Sequence, residues 1–511
     1  MAYTESQKNI ARRTTIEKAV DALTNKRHVC TVSRKTIVRD IKRYLSKHGS
    51  EYDKKISEYL SDNDIEKWED FYNSIVGIKK SKDLKVAYLS GPNPENDLKV
   101  FVENGILPEN VCAFESDNTV YDQATMSALN SEFPFIKIYR GRIEQYLKLL
   151  PPKFDIIYLD FCGTIASSKT ISVIREIFNS QRLSSPGVLI TNFSLPSETD
   201  PRNSGTVENL NLLAANYLYP KPFTEKYSNL GGSWLESAEV CGIEPDQFFK
   251  IAKRNQSTFY SQFITRILFD LPSVIVPYQK LALNPNLAKL FFKDISQIKL
   301  DEEYYESCMT FPNAYPLIWG LTQHYWIQND DFTKFLTKFN NQLSLKNDEE
   351  SLVQNLRIVD YLMSENTPTD KLSEKLNRIR KDWKLGNTHI FCDVFLFHQL
   401  KDILIGQLTY PYFYNVDFTL RWTYKAKETD MFMDLVTYDQ CRYIFDWMPT
   451  LDMFEEGVYN MNRQLALRFA MDSLSKHNRW YNDEFFSGTA VIDQNEKTFE
   501  ARELKRRVKI K

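Results

Sequence analysis

The chain has 511 residues, 42% of them hydrophobic and 26% charged, with 65 Lys and Arg against 67 Asp and Glu for a net charge of −2. That length exceeds one ordinary core, so two or three domains are expected, and the near-neutral balance excludes a protein that is basic along its whole length. No run reaches the ~20 apolar residues a membrane helix needs, and the start, Met1 to Lys8, lacks the apolar core of a secretory signal. A cytoplasmic protein without a membrane partner is therefore expected. Seven cysteines (30, 112, 162, 241, 308, 392 and 441) form no CxxC pair, a pattern of reduced thiols and not of a zinc site.

Residues 1–80 read as a helical N-terminal region. Between Met1 and Ser50, twelve Lys or Arg face four Asp or Glu, an excess of eight positive charges. Within it, Ser33 is a fitting N-cap for a helix whose apolar stripe is Ile37, Ile41 and Leu45. Arg34, Lys35, Arg39, Lys42 and Arg43 lie around its other faces, the pattern of a basic helix that contacts nucleic acid or simply meets solvent. The stretch Thr31 to Leu45 resembles the recognition helix of helix-turn-helix repressors, in which a Val-Ser turn precedes a basic helix.

Residues 81–290 alternate short apolar strands with helical lengths of chain. Strands are expected at Lys85–Ser90, Asn110–Glu115, Ile136–Tyr139 and Phe154–Asp160, with a fifth after Ser185-Pro-Gly. The alternation implies an α/β fold whose sheet is mostly parallel, with ligands at the carboxyl ends of its strands. Glu115 and Asp160 stand at two of those ends. Phe263–Asp270 and Val274–Tyr278 read as two further strands joined by a tight turn.

Five α/β units closed by an antiparallel hairpin resemble the class I S-adenosylmethionine-dependent methyltransferases over roughly residues 84–280. The resemblance implies a doubly wound, Rossmann-like methyltransferase sheet with S-adenosylmethionine as cofactor. Glu115 occupies the place of the acid that holds the ribose hydroxyls, with Asp117 beside it. Ser90 and Gly91 would border the methionine part. Tyr158-Leu-Asp-Phe-Cys-Gly-Thr164 is similar to the Asp-Pro-Phe-Gly loop of tRNA guanine N2-methyltransferases, which gives Asp160 and Phe161 the role of acceptor loop. The first loop, Ser90-Gly-Pro-Asn-Pro94, has one glycine where the family has Gly-x-Gly. Arg142 stands where an acid often meets the adenine amino group.

Residues 291–511 are expected to form a mainly helical C-terminal domain with some strands. Helices are expected at 288–294, 325–339, 351–363 and 371–384, and strand-formers fill 408–424 and 431–436. Arg421, Lys425, Lys427 and Arg442 interleave with Trp422, Tyr424 and Tyr443, as in a basic aromatic surface or ordinary packing. The basic end, Glu503 to Lys511, reads as frayed. Cys162 reads as a structural thiol or, less readily, a nucleophile. Three functions follow: a methyltransferase acting on nucleic acid, a catalytically inactive methyltransferase-fold protein serving as a binding or scaffold module, or an enzyme using a different nucleotide in the same crevice.

Overall fold

The computed structural model describes residues 6–149, 151–195, 205–218, 245–284, 292–294, 330–345, 370–375, 377–378, 389–391, 394–395, 405–426, 429–447 and 506–510. Helices α1 (Ser6–Leu23), α2 (Arg27–Cys30), α3 (Ile37–His48), α4 (Glu51–Ser57) and α5 (Asp62–Val76) come first. Then β1 (Val86–Leu89), α6 (Glu95–Glu103), β2 (Val111–Glu115), α7 (Asn118–Leu129), β3 (Lys137–Arg140), α8 (Ile143–Leu149), β4 (Phe154–Asp160), α9 (Ser168–Asn179) and β5 (Leu183–Ser194) alternate. Each βα repeat follows from its sequence. A strand buried on both faces, as in Phe154-Asp-Ile-Ile-Tyr-Leu, needs helices on either side of the sheet.

The nine-stranded sheet has the order β11-β9-β10-β5-β4-β1-β2-β3, with β8 pairing with β10. Here β8 is Phe413–Tyr414, β9 is Leu420–Ala426, β10 is Thr429–Asp439 and β11 is Val508–Lys509, while β6 (His389–Phe391) and β7 (Val394–Phe395) form a separate pair. β1 to β5 run parallel. β10 lies antiparallel between β5 and β9. The fold is therefore mixed α/β with a mostly parallel sheet, as expected. Gly187 permits the tight local path of the chain within β5, because a Cβ there would stand 2.4 Å from the Ser184 carbonyl oxygen of the same strand.

Two apolar layers sandwich the sheet. On one face, Ala11, Ile16, Ala19 and Leu23 of α1 and Leu98 and Phe101 of α6 pack on Val86, Tyr88, Tyr158, Ile190 and Met433. On the other, α8, α9, α10 (Thr206–Leu218) and the helices Gln256–Asp270 and Asp330–Leu343 cover Ala87, Phe114, Ile157 and Leu189. Burying each such side chain contributes roughly 1.5–3 kcal/mol before conformational entropy is counted.

Three expectations are corrected. The hairpin expected at 263–278 is helix Gln256–Asp270, running through a π-type turn (Leu271–Ile275) into helix Val276–Ala282. Every residue from Phe259 to Asp270 is buried, and an apolar run wrapped on all sides has no periodicity to separate strand from helix. The antiparallel hairpin comes from β9 and β10, so the sheet draws on chain from both sides of the 290/291 boundary. Ser33 does not cap a helix: α3 starts at Ile37, and the buried Ser33 N–H donates to Tyr443 Oη at 3.0 Å. The basic end is not frayed over its described part, since β11 pairs with β9 and Arg507 forms an ion pair with Asp434 beneath it. Of the helices expected beyond 287, that at 325–339 corresponds to Asp330–Leu343. That at 288–294 lies largely, that at 371–384 by half and that at 351–363 wholly outside the described residues.

One buried carboxylate joins the N-terminal helices to the sheet. Asp439, at the end of β10, accepts from Val32 N (3.2 Å), Ser185 Oγ (3.0 Å), Cys441 N (2.8 Å) and Tyr443 Oη (2.8 Å). Burial pushes its carboxyl up, and these donors oppose the rise. Asp439→Ala leaves donors from three parts of the chain without their acceptor. It should cost roughly 3 kcal/mol in urea unfolding; a loss under about 1 kcal/mol would contradict this account of the junction.

Candidate functional site

Alternation along the strands determines which side chains meet at the carboxyl ends. Ser90 follows Val86 and Tyr88 in phase, and Glu115 follows Val111 and Ala113; Asp160 follows Ile156 and Tyr158. All share the face covered by α1 and α6. Across β4 and β5, Asp160 is in register with Asn192, and across β2 and β3, Glu115 is in register with Arg140. The result is a row from Arg140 through Glu115 and Ser90 to Asp160 and Asn192, at one edge and on one face.

Ser90 is buried and its N–H donates to Phe114 O at 3.1 Å. Gly91 turns the chain with φ +60°, and a Cβ placed on it would meet nothing within 4 Å. Only a residue tolerant of this left-handed conformation lets the chain turn so sharply into α6. Space therefore remains beside the first loop, although two prolines flank it.

Glu115 is half-buried. Its Oε1 accepts from Asp117 N at 2.8 Å, which fixes the carboxylate. Asp117 caps α7, accepting from Thr119 N and Val120 N at 2.9 and 3.0 Å. Its side chain serves the helix start. Arg142 is exposed and ion-paired with Glu144. Arg140 is the arginine beside Glu115: it donates to Asn118 Oδ1 at 2.9 Å and its guanidinium lies 5.5 Å from the centre of the Tyr121 ring.

Asp160 and Phe161 are not brought together. Asp160 Oδ2 meets Lys8 Nζ at 3.0 Å, and Oδ1 accepts from Asn192 Nδ2 at 2.7 Å. Asn192 also donates to Tyr424 Oη at 2.8 Å. Phe161 instead stacks on Phe193, with ring centres 5.7 Å apart, and packs toward the opposite apolar layer. Cys162 is exposed.

One turn along α1 from Lys8, Arg12 Nε lies 2.5 Å from Asp97 Oδ1 of α6, both side chains being buried. Burial pushes the Asp97 carboxyl up to about 6, with Arg12 opposing the rise and the Asp160 charge adding to it. Burial likewise raises Tyr158 and Tyr424 well above ordinary phenols. Tyr158 Oη and Asn192 Oδ1 are buried with no hydrogen-bond partner. Ser90, Gly91, Glu115 and Asp160, which the sequence singles out, stand at this edge beside Lys8, Arg12, Asp97, Arg140 and Asn192, which it does not; the signal of the latter is register and tertiary approach, not a motif.

The basic N-terminal helix is partly neutralised. Arg39 Nε pairs with Glu69 Oε1 at 2.8 Å and Lys42 Nζ with Asp62 Oδ1 at 3.1 Å, both across to α5. Arg34 and Arg43 are exposed, and Lys35 is half-buried with its carbonyl accepting from Trp68 Nε1. Arg421 is buried, not part of a surface. Lys427 lies outside the described residues. Among the described residues no group of acids, histidines or cysteines is arranged to hold a metal, and no helix is long and apolar enough to cross a membrane. Compared with models of known protein families and with curated proteins, the sequence matches none.

The raised Asp97 carboxyl gives a pH prediction. Its value rises from the ordinary 3.8 to about 6, so the folded state holds a proton that the unfolded chain has already released. Its contribution is therefore complete below about pH 4 and is lost as pH rises through about 6, a change of about 3 kcal/mol. Relative to Asp97→Asn, the wild type should lose that much stability in denaturant titrations between pH 4 and 7. A difference that stays flat or grows with pH would contradict the assignment.

Proposed function

We propose that the protein binds S-adenosylmethionine at the carboxyl edge of β1, β2 and β4 and acts as a methyltransferase, with nucleic acid as the acceptor class. The observation that carries this reading is the sheet itself: five parallel strands in the order 3-2-1-4-5, closed beyond β5 by an antiparallel hairpin, with a half-buried carboxylate at the end of β2. That is the plan which the class I methyltransferases use, and a ligand in such a sheet lies in the crevice where the strand order reverses, between β1 and β4.

The residues present fit the cofactor. Glu115, oriented by Asp117 N, supplies an acceptor for ribose hydroxyls. The space beside Gly91 admits the close approach of a ligand to the backbone. Arg140, in register with Glu115, stands on the side expected to meet the adenine; like Arg142 it is opposite in charge to the acid the family often has there, so any adenine contact would use ring nitrogens or the ring face and not the amino group. When bound, S-adenosylmethionine supplies a methyl group already activated by a sulfonium, so positioning matters more than proton transfer. The chain's own contribution is to fix Glu115 and to hold Asp160 between Lys8 and Asn192.

Nucleic acid as acceptor rests on the exposed Arg34 and on Arg43, which is exposed and only loosely paired with Asp40 at 3.8 Å, since Arg39 and Lys42 are engaged with α5. The second reading, a binding module without chemistry, is favoured by one observation. Both oxygens of Asp160 are occupied, and Phe161 packs away from them.

Calorimetric titration with S-adenosylmethionine should show binding in the micromolar range, weakened at least about tenfold, or ~1.4 kcal/mol, by Glu115→Ala. Absence of heat at millimolar ligand would overturn the cofactor assignment. Binding without transfer of a labelled methyl group to nucleic acid would decide for the binding module.

A further inference from the structure

The ion pair at the end of β4 has a geometry that surface pairs lack. Lys8 Nζ reaches Asp160 Oδ2 at 3.0 Å, with the two side chains 24% and 12% exposed. The other carboxylate oxygen is held by Asn192 Nδ2, which is itself fixed by Tyr424 Oη. Two buried polar atoms close by, Tyr158 Oη and Asn192 Oδ1, have no hydrogen-bond partner. Both are oxygens able to accept a hydrogen bond, and they sit on the same sheet face as Asp160. The Lys8 ammonium donates to neither of them, and Arg12 already stands within charge range of Asp160, Tyr158 and Tyr424, so the group that faces a compact cation here is the partly dehydrated Asp160 carboxylate held by Asn192.

We infer that the Asp160 carboxylate, held by Asn192, is a cation subsite which the Lys8 ammonium occupies in the resting protein, and that the natural occupant is a sulfonium. The subsite stands on this geometry alone; assigning the methyl donor's sulfonium to it rests on the proposed function. Lys8 is suited to yield. It lies in the first turn of α1, whereas Arg12, one turn on, is buried against Asp97 and anchors the helix. The long Lys8 side chain swings toward solvent through its own torsions while α1 stays in place. The exchange replaces one positive charge by another beside Asp160, so the carboxylate is never left buried without a counter-charge, which would be strongly unfavourable. No covalent step is involved.

Two measurements test this. Lys8→Ala opens a space that trimethylsulfonium fills, having as many heavy atoms as the lysine side chain loses. Its thermal midpoint should rise saturably with trimethylsulfonium, and the double variant Lys8→Ala/Asp160→Asn should not respond. Equal responses of the two variants, or none, would overturn the subsite whatever the protein does with S-adenosylmethionine. Separately, Lys8→Ala should raise the affinity ratio of S-adenosylmethionine to the uncharged S-adenosylhomocysteine by about tenfold over wild type, since only the sulfonium competes with Lys8. An unchanged ratio would overturn the sulfonium assignment. No binding of either adenosyl ligand to either protein would overturn the cofactor reading itself, while the trimethylsulfonium response still decides the subsite.

Discussion

A pleated strand sends successive side chains to opposite faces, and that constraint decides what this sheet can present at its carboxyl edge. Asp160 and Phe161 are neighbours in sequence, yet one meets Lys8 under α1 while the other stacks on Phe193 beneath the opposite layer. Ser90, Glu115, Asp160 and Asn192 come from four strands and converge because each is in phase with the residues facing α1 and α6. A slip of one residue in any strand would send its member of the row to the wrong face. The apolar residues in phase with them, Tyr88, Ala113, Ile156 and Ile190, hold the register through burial.

The sheet also dictates how distant chain segments must join. β10 lies antiparallel between β5 and β9, so residues 429–439 complete a sheet begun at residue 86. Asp439 then ties Val32 of the N-terminal region to Ser185 at the start of β5. Arg507 reaches the same hairpin from the far end of the chain, pairing with Asp434 and donating to the Trp422 and Met433 carbonyls at 3.2 Å each. Such buried charged contacts are costly to break once formed, because removing one partner leaves the other unpaired away from water. They make the N-terminal helices, the sheet core and the C-terminal end interdependent.

Much of this was legible in the sequence and some was not. β1, β2, β4 and β5 could be read because largely buried strands appear as short apolar runs separated by helical lengths of chain, and β3, the exposed edge strand, because its β-branched and aromatic residues stand in the same rhythm. Glu115 and Asp160 could be read because a carboxylate ending such a run breaks its apolar pattern. The closing hairpin was misplaced at 263–278, where a helix buried on every side carries the same apolar density as strands. Arg142 drew attention in place of Arg140 because the exact end of β3, not composition, decides which arginine stands beside Glu115. Lys8 and Asp160 are separated by about 150 residues of chain and lie in different regions of the sequence. Nothing in either local sequence announces the other.

The central claim is that the crevice between β1 and β4, covered by α1, is where the ligand binds. Hydrogen–deuterium exchange of the wild-type protein with and without S-adenosylmethionine tests it most directly, because protection is mapped onto segments without altering a residue. The account predicts slowed exchange confined to the loop 90–95, the β2–α7 junction 115–120 and the first turns of α1. Protection elsewhere, with these three segments unchanged at saturating ligand, would contradict it.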